Sequence, residues 1–423
     1  MGILIGTFLL LMILGLPVAV SMVGASLLFI LVSGSVPDVV VAQRMIAGIE
    51  SFPLLAVPFF ILAGNLMNIA GITGRIYNFA VALVGWMRGG LGQVNIAASM
   101  IFSGMSGSAV ADALGIGQVE IKAMRGAGYP DDFSVGVTAA SATIGPIIPP
   151  SIPLIVYAVM ANTSATALLI AGILPGVLMG VLMMIVVAFQ ARRRNIRTEP
   201  WEGAAALLWS FVFALPPLIT PVIIIGGMWT GVFTPTEAAA VAALYALVIA
   251  MIFYREMSIA QFVKLLRETM HETAIILIII AAAALYAWFL VFTQIPQELV
   301  GLVKDLNFGP VMFLLVINLF LLLIGLFMET NAAITIFTPM LLPPAIALGV
   351  DPVHFGIIMV LNLMLGLLTP PVGMVLFAVA KVANVPMNKV VVALFPFYVP
   401  LFLALLLVTY IPQISLFLPG LMK

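Results

Sequence analysis

Ala142–Val156 reads ATIGPIIPPSIPLIV. It holds one glycine and four prolines between Gly145 and Pro153, in flanks that are almost wholly apolar. Proline removes a backbone donor and collides with the preceding turn. The stretch therefore interrupts a helix that its flanks would otherwise continue. Around it lies a chain of 423 residues, 64% hydrophobic and 8% charged, with a mean hydropathy of +1.29. That is more apolar surface than a water-soluble core can hide. A helix needs roughly 20 apolar residues to cross a hydrocarbon layer about 30 Å thick, and such stretches recur along the chain. The fold class is all-α and polytopic in a membrane. A formal net charge of +0 argues against a basic nucleic-acid binder. With 0 cysteines, disulfides, cysteine-ligated metals and thiol catalysis are excluded. The apolar start, Met1 to Leu14, has no basic segment ahead of it and reads as part of the first span rather than a cleaved signal.

Spans are expected at 3–33, 53–70, 133–161, 165–190, 204–228, 234–254, 273–293, 353–385 and 390–416. The first is long enough to tilt or to kink at Pro17. Two further apolar stretches, 91–121 and 310–348, carry polar residues at their middles: Ser103-Gly104-Met105-Ser106-Gly107-Ser108 and Met328-Glu329-Thr330-Asn331. Each reads as two short helices meeting at a polar tip, a re-entrant hairpin. Non-helical backbone at membrane depth is tolerated only where protein or water covers it. Arg192, Arg193, Arg194 and Arg197 form the densest basic cluster, and Arg255, Lys264 and Arg267 a second. Both loops belong on the cytoplasmic side. Lys122 and Arg125 put the mouth of the first hairpin on that side too. Counting outward gives a cytoplasmic N-terminus, a periplasmic C-terminus and a second hairpin that enters from outside.

The break has a counterpart. Pro149-Pro150 is matched by Pro370-Pro371, an interval of 221 positions between 149 and 370. The tails PPSIPLIVYAV and PPVGMVLFAVA agree loosely, and the two tips stand at a similar interval. Each half reads span, span, hairpin, broken span, span, and the extra crossing at 204–228 turns the second copy over. This is an inverted-topology repeat, the plan of many secondary transporters. Residues 1–190 form the first repeat, with scaffold spans in 1–75 and the hairpin and broken helix in 88–161. Residues 191–230 are a cytoplasmic loop and linker span. Residues 231–423 form the second repeat, with its hairpin and broken helix in 310–385. Unwinding frees carbonyl oxygens, which suit a hard cation such as Na⁺, and half-helix N-termini suit a carboxylate.

The runs SGMSGSAVADALG (Ser103–Gly115), KAMRGAGYPDDFSVGVTAASATIGPIIPPSIP (Lys122–Pro153), GVFTPTEAAAVAALYAL (Gly231–Leu247) and GLLTPPVGMVLF (Gly366–Phe377) carry a resemblance. They are similar to the large membrane (M) subunit of a tripartite ATP-independent periplasmic (TRAP) transporter. The resemblance implies a sodium-coupled importer of organic acids, of C4-dicarboxylate or sialic acid type, that works by an elevator motion in the bacterial inner membrane. It also implies a small four-helix membrane subunit (Q) and a periplasmic substrate-binding protein (P). Neither is in this chain, which reads as the unfused form.

At the first tip Ser106 and Ser108 are candidates for Na⁺ ligation by hydroxyl or carbonyl. Asp112 is a carboxylate in an apolar hairpin, costly unless functional. It either ligates Na⁺ or holds the tip by accepting backbone hydrogen bonds. Gly145, Ile147 and Pro150 would offer carbonyls from the break. Thr330, Asn331, Gly366 and Thr369 are the matching set for a second Na⁺. The resemblance implies that substrate binds between the tips, with Ser106, Ser151 and Asn331 as its polar contacts. Glu329 reads as an acid facing external water, and Arg125 as a positive-inside anchor. Trp86, Trp201, Trp209 and Trp229 fit interfacial belts. Arg44 with Glu50, and Lys264, Arg267 and Glu268, mark interfacial helices that brace a scaffold.

Rival readings are weaker. Gly104-Met105-Ser106-Gly107 matches the G-x-S-G pattern of an intramembrane serine protease. That chemistry needs a histidine within reach of the serine, and His271 and His354 are expected near opposite membrane faces. His271-Glu272 begins a zinc H-E-x-x-H motif that fails at Ile275. A channel needs a continuous polar pore, and no span carries a polar stripe along its length. A proton-coupled antiporter would want an intramembrane acid, for which Asp112 is the most suitable residue.

Overall fold

The computed structural model describes residues 2–34, 36–69, 71–196, 198 and 200–422; Arg197 lies outside them. Every regular element among the described residues is helical. The chain opens with α1 (Gly2–Ile13) and α2 (Val18–Ser33), which pack on each other, with Leu11 against Gly24. The single span expected at 3–33 is thus two helices folded back at 14–17. Gly15, at φ +82°, and Pro17, at the start of α2, end one helix and begin the other. The fold-back brings Gly2 to the same end of the molecule as Ser33.

An amphipathic helix, α3 (Val39–Ile49), follows, with Arg44 over the Trp288 ring at 5.0 Å. It meets α4 (Ala56–Ile69) at a bend of 61°. A connecting helix, α5 (Ile72–Val84), leads to the first hairpin: α6 (Leu91–Ser106), α7 (Ala109–Leu114) and α8 (Ile116–Gly126). The first broken span is α9 (Asp131–Ser141) and α10 (Ile152–Met160), separated by the proline stretch. Then come α11 (Ala165–Ala171) and α12 (Ile173–Arg194), and the linker span of α13 (Ala204–Pro221) and α14 (Gly227–Trp229). Pro217 inside α13 deprives the Phe213 carbonyl of its helical donor, and the Tyr254 hydroxyl donates to it at 3.4 Å.

The second half repeats the order. It runs through α15 (Pro235–Val248) and α16 (Ile259–Phe292), then the connecting helix α17 (Ile295–Asp305). The second hairpin is α18 (Pro310–Gly325) and α19 (Thr330–Ala347), and the second broken span α20 (Pro352–Gly366) and α21 (Met374–Ala383). The chain closes with α22 (Met387–Tyr410) and α23 (Gln413–Gly420). One expectation changes here. Lys264, Arg267 and Glu268 do not lie on a separate interfacial helix, as Arg44 does on α3. They belong to the first turns of α16, a continuous helix of 34 residues, because no breaker stands between the Ser258 cap and Phe292.

The two broken spans run antiparallel. The Tyr157 hydroxyl at the end of α10 donates to the Pro352 carbonyl at the start of α20, at 2.8 Å. At the other end, Asp131 and Asp132 at the start of α9 share a surface pocket with Val385 and Asn388, just past α21. The hairpins open toward opposite ends as well. Leu91 and Gln93 at the mouth of the first bond Tyr129 and Met184, on the side of the arginine cluster. Asn318 in the second bonds Thr409, at the far end of α22. The halves also interlock, since α10 packs on α19 and α21 on α7. On the outside, α4 packs against α15 and α16.

Candidate functional site

The first tip turns at Gly107, in the left-handed region at φ +63°. A Cβ there would run into the Pro150 carbonyl, so the tip sits directly on the break. Ser108 caps α7 by accepting from the Ala111 amide at 3.4 Å. Asp112, 1% exposed, points into the seam between tip and break. Its Oδ1 accepts from the Ser106 hydroxyl. Its Oδ2 has no partner among the described residues and lies where a Cβ on Gly145 would go. The Ser106 hydroxyl is the partner it has at this tip among the described residues.

The break supplies bare carbonyls. Those of Gly145, Ile147 and Pro150 accept no hydrogen bond from the described residues, while that of Pro146 accepts from Ser151. The Ile147 carbonyl faces Gly172, whose missing Cβ leaves it room. An uncompensated carboxylate oxygen beside Gly145, the Pro150 carbonyl beneath Gly107, and the free carbonyls of Gly145 and Ile147 put oxygen donors at the tip and along the break. These are the donors a hard cation takes, so the residues fit Na⁺. Ser151 is otherwise engaged. It is fully buried, caps α10 by accepting from the Leu154 amide at 3.2 Å, and donates to Pro146.

The second tip is built differently. Glu329 does not face open water. It caps α19, accepting from the Ala332 amide at 3.0 Å and from the Asn331 side-chain amide at 2.9 Å. The chain's own carboxylate thus occupies the N-terminus of α19. The Thr330 hydroxyl oxygen and Asn331 Oδ1 have no partner among the described residues. The other two members of the matching set are engaged locally. Gly366 presses on Gly325, at the end of α18, and its carbonyl accepts from the Thr369 amide at 3.0 Å. The Thr369 hydroxyl is turned back onto the Leu365 carbonyl at 2.9 Å.

One cavity of about 350 Å³ joins the tips. Ser106, Gly107 and Ser108 line it from one side and Glu329, Thr330 and Asn331 from the other. Leu367 and Met374 bring the second break to its edge. Pro146, Ile152 and Pro153 of the first break and the start of α7 also line it, and a further wall comes from α4, through Ile61, Gly64 and Asn65, and α16, through Glu272, Ile275, Ile276 and Ile279. Asp112, Gly145, Ile147, Pro150, Ser151, Gly366 and Thr369 are not on this wall, and neither is Arg125, which pairs with Asp131 at 2.7 Å. Asn65 drew no sequence reading, and Glu272 only one as part of a failed zinc motif, because nothing local marks either as facing a cavity. They face the cavity only because two helices about 200 positions apart in the chain pack together.

A buried polar ladder stiffens the hairpin against its broken span. Asn95 on α6 donates to Glu120 on α8 and to Thr138 on α9, both at 2.7 Å, and accepts from Ser141 at 2.6 Å. The second half has a related join, where Asn362 on α20 donates to Asn318 Oδ1 on α18 at 2.7 Å. Asn95→Ala strips partners from a buried carboxyl and two hydroxyls. It is expected to destabilise the purified protein by roughly 2–4 kcal/mol, read as a lower unfolding midpoint. Adding Glu120→Leu should recover part of that loss, because it removes the stranded carboxyl.

The sequence matches the family described as tripartite ATP-independent periplasmic transporter, DctM component, over residues 5–414. It is 46% identical over 407 residues to the sialic acid TRAP transporter large permease protein SiaM of Vibrio cholerae, covering 96% of this chain and 95% of that one. It is 42% identical to the C4-dicarboxylate TRAP transporter large permease protein DctM of Pseudomonas aeruginosa, over 91% and 90% of the two chains. The 2,3-diketo-L-gulonate TRAP transporter large permease protein YiaN of Escherichia coli is 38% identical over 95% and 94%. Among solved structures, the YdaH transporter of Alcanivorax borkumensis shares the fold, with a TM-score of 0.64 at 14% identity over 90% of this chain and 86% of that one.

Proposed function

The chain belongs to the tripartite ATP-independent periplasmic transporter family, as its DctM component, and from that premise we infer a sodium-coupled importer of small organic acids. It is a multi-pass membrane permease of the TRAP type, and its relatives are transport proteins rather than enzymes. Neither a protease nor a channel reading gains support. Ser106 donates to Asp112, while His354 lies with Thr409 and Ser415, and neither histidine lines the cavity.

The observation that carries the sodium reading is the seam beneath the first tip. There the unpartnered Asp112 oxygen lies against Gly145 and the Pro150 carbonyl against Gly107, in a break whose Gly145 and Ile147 carbonyls are also free, with Ser106 and Ser108 on the tip. A first Na⁺ held there would compensate a buried carboxylate and pin tip to break. Thr330 and Asn331, with backbone from the second break at Gly366–Thr369, are the proposed ligands of a second. With both ions in place the tips are held facing the cavity, and an organic acid delivered by the periplasmic binding protein enters between them. The hydroxyls of Ser108 and Thr330 and the amide of Asn331 are the donors at hand; Ser106 is committed to Asp112, and Ser151 lies deeper.

Movement is then a slide of the hairpins and broken spans, joined by their buried ladders, along a scaffold of α4, α15 and α16. The repeats 1–190 and 231–423, linked through 191–230, supply one half each of that moving body, and the small four-helix subunit would brace the scaffold. Positive-inside counting keeps the C-terminus periplasmic in the bacterial inner membrane. With α1 folded back on α2, the same counting turns the N-terminus to the periplasmic side.

The test is uptake into proteoliposomes holding both membrane subunits, with the binding protein outside and carboxylates offered as a panel. Uptake is expected only under an inward Na⁺ gradient and only with the binding protein present. Equal uptake with Na⁺ replaced by K⁺ would overturn the coupling.

A further inference from the structure

The cavity has one wall whose chemistry the transport scheme leaves unused. Its described lining contains two acids, Glu272 and Glu329, and no lysine, arginine or histidine. Glu329 spends both oxygens on Ala332 and Asn331. Glu272 takes part in no ion pair among the described residues, and its carboxyl stands beside the Asn65 amide, which itself reaches Thr269 at 3.4 Å. Around this pair the wall is apolar: Ile61, Ile275, Ile276 and Ile279. Ser108 and Thr330 line the same cavity.

Resting on the reading of this cavity as the substrate site, we propose that Glu272, with Asn65, is its specificity element, and that the substrate is a monocarboxylate bearing several hydroxyls, a sugar acid, rather than a plain dicarboxylate. The carboxylate of such a molecule goes to the tips, where the donors are. Its hydroxyls then reach the opposite wall, where a carboxyl oxygen accepts from them and the Asn65 amide can donate or accept. A dicarboxylate brings its second charge to that same wall and meets an acid with no cation between them. A site built to bond hydroxyls leaves its own polar groups stranded when an analogue lacks them, which is what makes such discrimination large. The volume fits as well, since about 350 Å³ lies in the range that holds drug-sized ligands and exceeds what a four-carbon diacid fills.

The experiment is ligand-dependent thermal unfolding of the complex of both membrane subunits in Na⁺ buffer, titrated with N-acetylneuraminate, 2,3-diketo-L-gulonate and succinate. The wild type should take at least one of the two sugar acids roughly 10-fold or more tighter than succinate. Glu272→Leu should weaken that sugar acid by roughly 10- to 100-fold and leave succinate no weaker. Glu272→Gln, which keeps an acceptor and removes the charge, should hold the sugar acid and tighten succinate about 10-fold. An unchanged preference in both variants, or a wild type that prefers succinate, overturns the proposal and leaves the transport site standing. A wild type that no anion stabilises overturns the site itself.

Discussion

Asp112→Asn should largely abolish sodium-driven uptake, lowering the initial rate in proteoliposomes by roughly 10- to 150-fold. The figure follows from the interaction removed. A hydrogen bond or ligand contact to a charged group contributes about 1.5–3 kcal/mol, and each 1.4 kcal/mol is a factor of about 10. Asparagine keeps the shape of the side chain and can still accept from Ser106. At the unpartnered position beside Gly145 it puts either an amide N–H, which repels a cation, or a neutral oxygen, which attracts it less. A second readout separates lost ion binding from lost folding. The wild type, bound by Na⁺ only when folded, should unfold at higher temperature as Na⁺ is raised. The Asn variant should be at least as stable in Na⁺-free buffer, because it no longer buries an uncompensated charge, yet show little response to Na⁺. A variant that keeps the full Na⁺ response would remove Asp112 from the ion site. Uptake driven by a proton gradient without Na⁺ would replace sodium coupling altogether.

Gly366→Ala should be nearly as damaging, through packing and not through charge. A Cβ at Gly366 would meet Cα, C and O of Gly325 at 2.6, 2.7 and 2.7 Å. All three are backbone atoms of α18, which cannot swing aside as a side-chain end can. Overpacking a tight core costs about 1–3 kcal/mol, and the upper end applies where both sides are main chain. The Val372 amide donates to the Leu326 carbonyl at 3.3 Å just beyond this contact. Prising α18 from α20 therefore also disturbs the second break and the tip above it. The unfolding midpoint should fall by several degrees and uptake by about 10-fold or more. Gly301→Ala is the control. Gly301 lies inside α17 with nothing within 4 Å of its added Cβ. There alanine should be neutral or stabilising by roughly 0.5–1 kcal/mol. Equal damage from both changes would mean that the Gly325–Gly366 contact carries no special weight.

Much of the site was legible because it is written in backbone chemistry. A proline pair cannot continue a helix wherever it is folded, so both interruptions could be read from Pro149-Pro150 and Pro370-Pro371 alone. A serine before a short apolar run caps it, as Ser108 does for α7 and Ser151 for α10. The same local reading assigned too much to other residues. Ser151 looked available to substrate but spends both its donor and its acceptor on the break. Glu329 looked idle but caps α19. In each case the partner lies within five residues, and which oxygen is free depends on how the backbone turns, something residue type does not state.

The sequence by itself determined the membrane class, the repeated order of elements, the two breaks, the two polar tips and the family. These follow from apolar length, from proline and glycine, and from motifs that stay within a few tens of residues. Only the tertiary structure decided that α1 folds back on α2 and that α16 runs unbroken from Ile259 to Phe292. It alone seated Gly325 against Gly366 and brought Glu272 and Asn65 round to the cavity wall. Those outcomes depend on which helix faces pack together across the chain, and an apolar face of nearly uniform leucine, isoleucine and valine does not name its partner until the whole bundle closes.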